Sequence, residues 1–213
     1  MARTFVLVHG AWHGGWCWQR VTPLLAAAGY AVHAPTLTGL GERSHLTSPA
    51  VNVSLHARDV ANVIRYERLE GLLLVGHSYG GMPVSAVPEI VPEGTIHSIL
   101  YLDAFLPEDG QCLNDLVPGP PHLPPAGEDY LVPPPRVYAV GFNAHMDAAS
   151  RADYEERRTP QSVHCFTEKV QLTGALERMR QAATASPGGE AARAPDAIAR
   201  GVAAFAQAYD ARH

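Results

Sequence analysis

The stretch LLLVGHSYGGM, residues 72–82, constrains this chain more than any other. Its four leading apolar residues read as a strand buried on both faces, and YGGMPVSAVPEI reads as a helix that opens directly after it. Between them, Gly76, Ser78 and Gly80 form a G-x-S-x-G turn. A serine on such a turn adopts strained dihedrals and presents its hydroxyl at the end of the sheet. The flanking positions must be small so that helix and strand can approach closely. Ser78 is therefore the candidate nucleophile. The N–H of Tyr79, at the start of the helix, is a candidate donor to an oxyanion.

The same grammar recurs along the chain. TFVLVHG (4–10), AVHAPTL (31–37) and IHSILYLDAF (96–105) read as further strands. WCWQRVTPLLAAAGY (16–30) reads as a helix stopped by Gly29. VSLHARDVANVIRYERL (53–69) reads as another, with Val53, Ala57, Val60 and Ile64 on one face and Ser54 as N-cap. This alternation predicts an α/β fold with a mostly parallel sheet flanked by helices. The 213 residues suit one domain over 1–213.

From Pro107 the character changes. Ten of the eighteen prolines fall between Pro107 and Pro160, and proline removes the donor that a central strand needs. Residues 107–165 are read as a proline-rich excursion over the sheet, with a helix around HMDAASRADYEERR. An interdomain linker is the alternative, but the residues beyond it are too few for a second domain. Residues 181–197 contain no Val, Ile, Leu, Met, Phe, Trp or Tyr and offer nothing for a core strand. Residues 195–213 read as a terminal amphipathic helix, with Pro195 in its first turn and Ile198, Val202, Phe205 and Tyr209 on one face.

Composition excludes several classes. A formal charge of −5 argues against nucleic acid or an anionic membrane as partner. Cys17, Cys112 and Cys165 are widely spaced and belong to no Cys/His cluster. No metal or other cofactor is therefore expected, and the thiols are read as reduced in a cytoplasmic protein. The apolar run before His9 is too short for a leader or a membrane span.

A second oxyanion donor is sought in the loop after the first strand, VHGAWHGGW (8–16), where Ala11 is the candidate. His9 and Gly10 shape that turn. His9 and His77 are read as packing beneath the serine, and His13 either lines the mouth of the pocket or is solvated.

FVLVHGAWHGGWCW, PTLTGLGERSHL, LLLVGHSYGGM and YLDAFLPEDGQ together resemble the bacterial esterase branch of the α/β-hydrolase superfamily, which is similar to plant methylesterases and hydroxynitrile lyases. The resemblance covers about residues 4–180. It implies the α/β-hydrolase fold, Ser78 as nucleophile, Ala11 and Tyr79 as oxyanion donors, and 107–165 as a cap over the pocket.

One part of the family pattern is not met. In the family an aspartate comes after a strand beyond the cap, and a GHD-like segment after the last strand supplies the histidine. Here QLTGALERMR (171–180) leads into the stretch without large apolar residues. The sheet is expected to lack its last one or two strands, leaving an exposed edge and a tendency to form a homo-oligomer. Downstream of Ser78 stand only His97, His122, His145, His164 and His213. His97 belongs at the opposite edge of the sheet, and His122, His145 and His164 in the cap or its return. His213 lies beyond the terminal helix. Asp103, at the end of the strand after the serine, is read either as the acid or as a turn aspartate.

Three readings fit these residues. The first is a carboxylesterase that acts on small apolar esters through a Ser78 acyl-enzyme. The second is a degenerate, non-catalytic hydrolase that binds a small molecule. The third, a hydroxynitrile-lyase-like activity, is disfavoured. In that branch a hydroxyl residue stands where this chain has Ala11, and the sole lysine, Lys169, precedes the altered region.

Overall fold

Successive residues of the first strand, β1 (Thr4–Val8), go to opposite sides of the sheet. Phe5 and Leu7 pack with Trp18, Val21 and Leu25 on one side. Val6 and Val8 pack with Ala57, Val60, Ile64 and Val84 on the other. Another apolar run, β3 (Leu72–His77), divides in the same way: Leu73 and Val75 join the first group, Leu72 and Leu74 the second. A strand covered on both faces has no room for polar alternation, which is why its sequence reads as an unbroken apolar run.

The computed structural model describes residues 4–125, 129–135 and 148–179. The stretch 181–197, the terminal helix expected over 195–213, and His145 and His213 lie outside the described residues. Among the described residues β2 (Ala31–His33) and β4 (Ile96–Leu102) complete a four-stranded sheet in the order β2-β1-β3-β4. Every pairing is parallel. Among the described residues β4 forms one edge. From β1 the chain moves outward to β2, and from β3 it moves the other way to β4. The direction of winding thus reverses between β1 and β3, and their C-terminal ends open side by side there.

Two helices differ from the sequence reading. The segment 16–30 is not one helix. It is a 3-10 turn over Gly15–Trp18 and then α1 (Thr22–Ala27), and Gly29 ends it at φ +88°. Pro23 explains the break, because a proline is tolerated in the first turn of a helix but not in its interior. α2 (Val53–Tyr66) is capped by Asn52, whose side chain accepts the Leu55 N–H at 2.9 Å; Ser54 is not the cap. Ser54 lies one residue inside the helix, and its N–H and hydroxyl both donate to Glu168 at 2.8 Å.

Among its described residues the proline-rich segment is irregular, with short elements only. These are α4 (Leu113–Leu116), β5 (Leu131–Val132), α5 (Ala148–Arg157), β6 (Gln161–Ser162) and α6 (His164–Thr167). β5 and β6 pair antiparallel, apart from the main sheet. Val132, Cys165, Phe166 and Val170 join the core on the α2 side. Among the described residues no helix is long and apolar enough to cross a membrane.

After Ser78–Gly80 the chain enters α3 (Gly81–Ala86) against the segment that leaves β4. A Cβ on Gly81 would stand 1.9 Å from the Phe105 carbonyl oxygen. Gly81→Ala is therefore expected to cost about 3 kcal/mol or more, roughly 10 °C in Tm. Gly94 has φ +84° and open space around it, so Gly94→Ala should cost only the left-handed strain of about 1–2 kcal/mol. Thermal melts of the two variants check this, and equal losses would count against the close approach.

Candidate active site

Ser78 sits at the C-terminal end of β3 with φ +52°, a left-handed conformation rare for a residue bearing a Cβ. The turn is tied to the end of β4. Ser78 N–H donates to the Asp103 carbonyl at 3.2 Å, and Phe105 N–H donates to the Ser78 carbonyl at 3.1 Å. A Cβ on Gly76 would lie 2.8 Å from the Gly80 carbonyl oxygen, and one on Gly80 would lie 2.7 Å from that of Val8. The two glycines of the motif are thus sterically required at both positions. Across the gap, a Cβ on Gly10 would come within 3.2 Å of Ser78 Cβ. The loop after β1 therefore packs directly on the serine.

That loop is held peptide by peptide. His9 is fully buried; its Nδ1–H donates to the Gly10 carbonyl at 2.8 Å and its Nε2 accepts the Leu37 N–H at 3.0 Å. Since the carbonyl and N–H of one peptide point in opposite directions, this bond turns the Ala11 N–H away from His9. No acceptor among the described residues takes the Ala11 N–H. His13 is buried rather than solvated. It donates to the Ala11 carbonyl at 2.5 Å and accepts from the Tyr154 hydroxyl at 2.6 Å.

The Tyr79 side chain is fully buried and packs on Phe166, which also contacts Trp12. Its hydroxyl donates to His56 Nδ1 at 2.8 Å, and His56 Nε2–H donates to the Thr38 carbonyl at 2.9 Å. Thr38 in turn donates through its N–H and its hydroxyl to Asp59, at 2.7 and 2.9 Å. The sequence reading missed this chain of bonds. Its trace was there: His56 lies between Val53 and Val60 on the buried face of α2. Cys165 is buried beside Tyr79 and His56, and burial pushes its thiol up to about 12.

Of the nine described histidines, none is hydrogen-bonded to Ser78. His97 is exposed at the start of β4, the end away from the serine. His164 is exposed on α6. His122 is half-buried and stacks on Phe166, with ring centroids 5.0 Å apart, and on Trp12, 5.5 Å away. Asp103 closes β4 with φ +44° and an exposed carboxylate; its charge opposes the effect of burial on His77. Among the described residues no three His, Cys, Asp or Glu side chains are grouped to hold a metal.

Burial drives the pKa of His9 and His13 down to about 3 and that of His56 to about 4. The unfolded chain takes up protons at these residues below pH 6.5, whereas the folded protein does not until pH 3–4. Their contribution to stability is complete above pH 6.5 and is lost as the pH falls from there toward 4. At pH 5 each imidazole should cost about 2 kcal/mol. Tm is expected to drop by at least about 10 °C between pH 7.5 and pH 5, as read by intrinsic fluorescence. A flat Tm over that range would contradict three buried neutral imidazoles.

The alpha/beta hydrolase family model matches residues 5–210. A carbendazim hydrolyzing esterase from Nocardioides sp. is 50% identical over 191 residues, spanning 83% of this chain and 76% of that protein. A pyrethroid hydrolase from Sphingobium wenxiniae is 39% identical over 121 residues, spanning 55% of this chain but only 41% of the relative. A methylesterase and an alpha-hydroxynitrile lyase from Arabidopsis thaliana also align, each over 40% of its own length. In three dimensions, a crystal structure of a pyrethroid hydrolase superposes with a TM-score of 0.67 at 25% identity, covering 84% of this chain and 75% of that one. The strand order, the turn bearing Ser78 and these matches agree: the chain belongs to the alpha/beta hydrolase family.

Proposed function

We propose that this chain is a carboxylesterase-type serine hydrolase of small, apolar esters. Ser78 is the nucleophile, the N–H groups of Ala11 and Tyr79 hold the oxyanion, and residues 107–165 form a cap over the pocket of a single domain. One observation carries the reading: Ser78, strained at φ +52°, faces a loop whose Ala11 N–H is left without an acceptor among the described residues and directed away from His9. In that arrangement Ser78 Oγ attacks the ester carbonyl, the alcohol departs, and water hydrolyses the acyl-enzyme. Asp103 stands at the end of the adjacent strand, on the side where a triad acid orients a histidine. Relatives named for hydrolysis of carbendazim and pyrethroids support an esterase activity. Because Cys17, Cys112 and Cys165 are widely spaced in the sequence and belong to no Cys/His cluster, we assign the chain to the reducing cytoplasm.

A second reading, a hydrolase scaffold that binds without turnover, is favoured by one fact. The serine proton needs a base, and none of the described histidines is bonded to Ser78. A site with an oxyanion hole but no base still accelerates reaction by about 10³–10⁴ over water. Hydrolysis of p-nitrophenyl acetate and butyrate by this chain and by Ser78→Ala separates the two. The esterase reading expects a rate at least about 10-fold above that of the variant. Equal rates from the two would leave the binding reading standing, because the residual acceleration does not depend on the serine.

A further inference from the structure

We infer that His13 and Gln161 are positioning residues for the oxyanion hole: together they clamp the peptide joining Ala11 to Trp12 and, with His9 holding the preceding peptide, lock Ala11 in the conformation that aims its N–H. This rests on Ala11 being the oxyanion donor, as proposed above. The clamp acts at both ends of one peptide. His13 Nδ1–H donates to the Ala11 carbonyl at 2.5 Å, and Trp12 N–H donates to Gln161 Oε1 at 2.8 Å. A peptide group is planar, so holding its carbonyl and its N–H fixes its rotation. The preceding peptide is already held at the Gly10 carbonyl by His9. With the planes on both sides of its Cα immobilised, Ala11 has no free dihedral left.

Trp12 shows that this geometry is imposed. It adopts φ +63°, which costs a residue with a Cβ about 1–2 kcal/mol. Its other polar groups also bond to the proline-rich segment. The carbonyl accepts the Thr159 N–H at 3.0 Å, and the indole N–H donates to the Val132 carbonyl at 3.0 Å. His13 is 8% exposed and Gln161 1%, so water does not compete for either bond. The Ala11 carbonyl only accepts, which places the His13 proton on Nδ1 and leaves Nε2 to receive the Tyr154 hydroxyl at 2.6 Å. Val132, Tyr154, Thr159 and Gln161 all belong to the segment proposed as the cap. Seating that segment and assembling the oxyanion hole are therefore a single event.

The test compares His13→Leu, His13→Asn, Gln161→Met and the His13→Leu/Gln161→Met double variant. Each is read by steady-state hydrolysis of p-nitrophenyl acetate and by hydrogen–deuterium exchange of residues 9–16. His13→Leu and Gln161→Met are expected to lower kcat about 10²-fold with KM within about 3-fold. In His13→Asn the side-chain amide takes the place of Nδ1–H, and kcat should return to within about 5-fold of the parent. The double variant should fall little below the lower single variant, because both bonds hold one peptide. If His13→Leu does not fold, His13→Gln replaces it. Its amide reaches toward Tyr154 and not Ala11, and the same loss is expected. Raised KM at unchanged kcat, no rescue by asparagine, or losses that multiply would each overturn the inference. If the parent shows no Ser78-dependent turnover, the esterase reading fails and exchange alone decides. Faster exchange across 9–16, reversed in His13→Asn at equal Tm, would uphold the clamp, and unchanged exchange would sink it.

Discussion

Where β1 and β3 end side by side, Gly10 lies so close to Ser78 that a single added methyl group would touch the serine's Cβ at 3.2 Å. The rest of the site depends on that contact. It needs two parallel neighbours whose connections leave in opposite directions, so that no crossover covers their ends. It also needs glycine on both sides of the junction: Gly80 against the Val8 and His9 carbonyls, and Gly81 against the Phe105 carbonyl. The absence of a side chain at these glycines is what allows the serine turn and the loop after β1 to meet in one site.

Hydrogen bonding then gives the contact its direction. Three buried histidines act as neutral, two-ended connectors, each donating to a carbonyl from one nitrogen and accepting a hydrogen bond at the other. His9 joins the Gly10 carbonyl to the Leu37 N–H, His13 joins the Ala11 carbonyl to the Tyr154 hydroxyl, and His56 joins the Thr38 carbonyl to the Tyr79 hydroxyl. A buried polar group is tolerable when its partners are present and costly when one is lost. An imidazole serves because it offers one donor and one acceptor on a rigid ring and stays uncharged when buried. Apolar side chains pack on both faces of the sheet around these rings.

Much of this was legible in the residues, unevenly. The four main strands appear where apolar runs end in turn residues, because burial on both faces leaves a one-dimensional mark. Ser78 is marked because only a turn with small neighbours admits it. Local rules erred where two of them competed. Ser54 has the chemistry of a cap, yet Asn52 takes that role and Ser54 binds Glu168, 114 residues away. Pro23 lay inside an apolar pattern that otherwise read as one helix. His13 sits in a glycine-rich loop where a place at the pocket mouth and a solvated position read alike, and only Tyr154, far along the chain, makes it a buried residue.

By itself, then, the sequence determined the alternation of strand and helix, the identity of the serine turn and the two glycines that allow it. These depend on periodicity and on the sterics of neighbouring residues, and both are local. The tertiary structure decided which peptides face the serine and what holds them. Gln161 and Thr159 reach Trp12 from far along the chain, and Phe105 meets Gly81 only because β4 pairs with β3. Such contacts depend on strand order and on how the proline-rich segment seats. No local pattern encodes them, because the partners are brought together only when the whole core is packed.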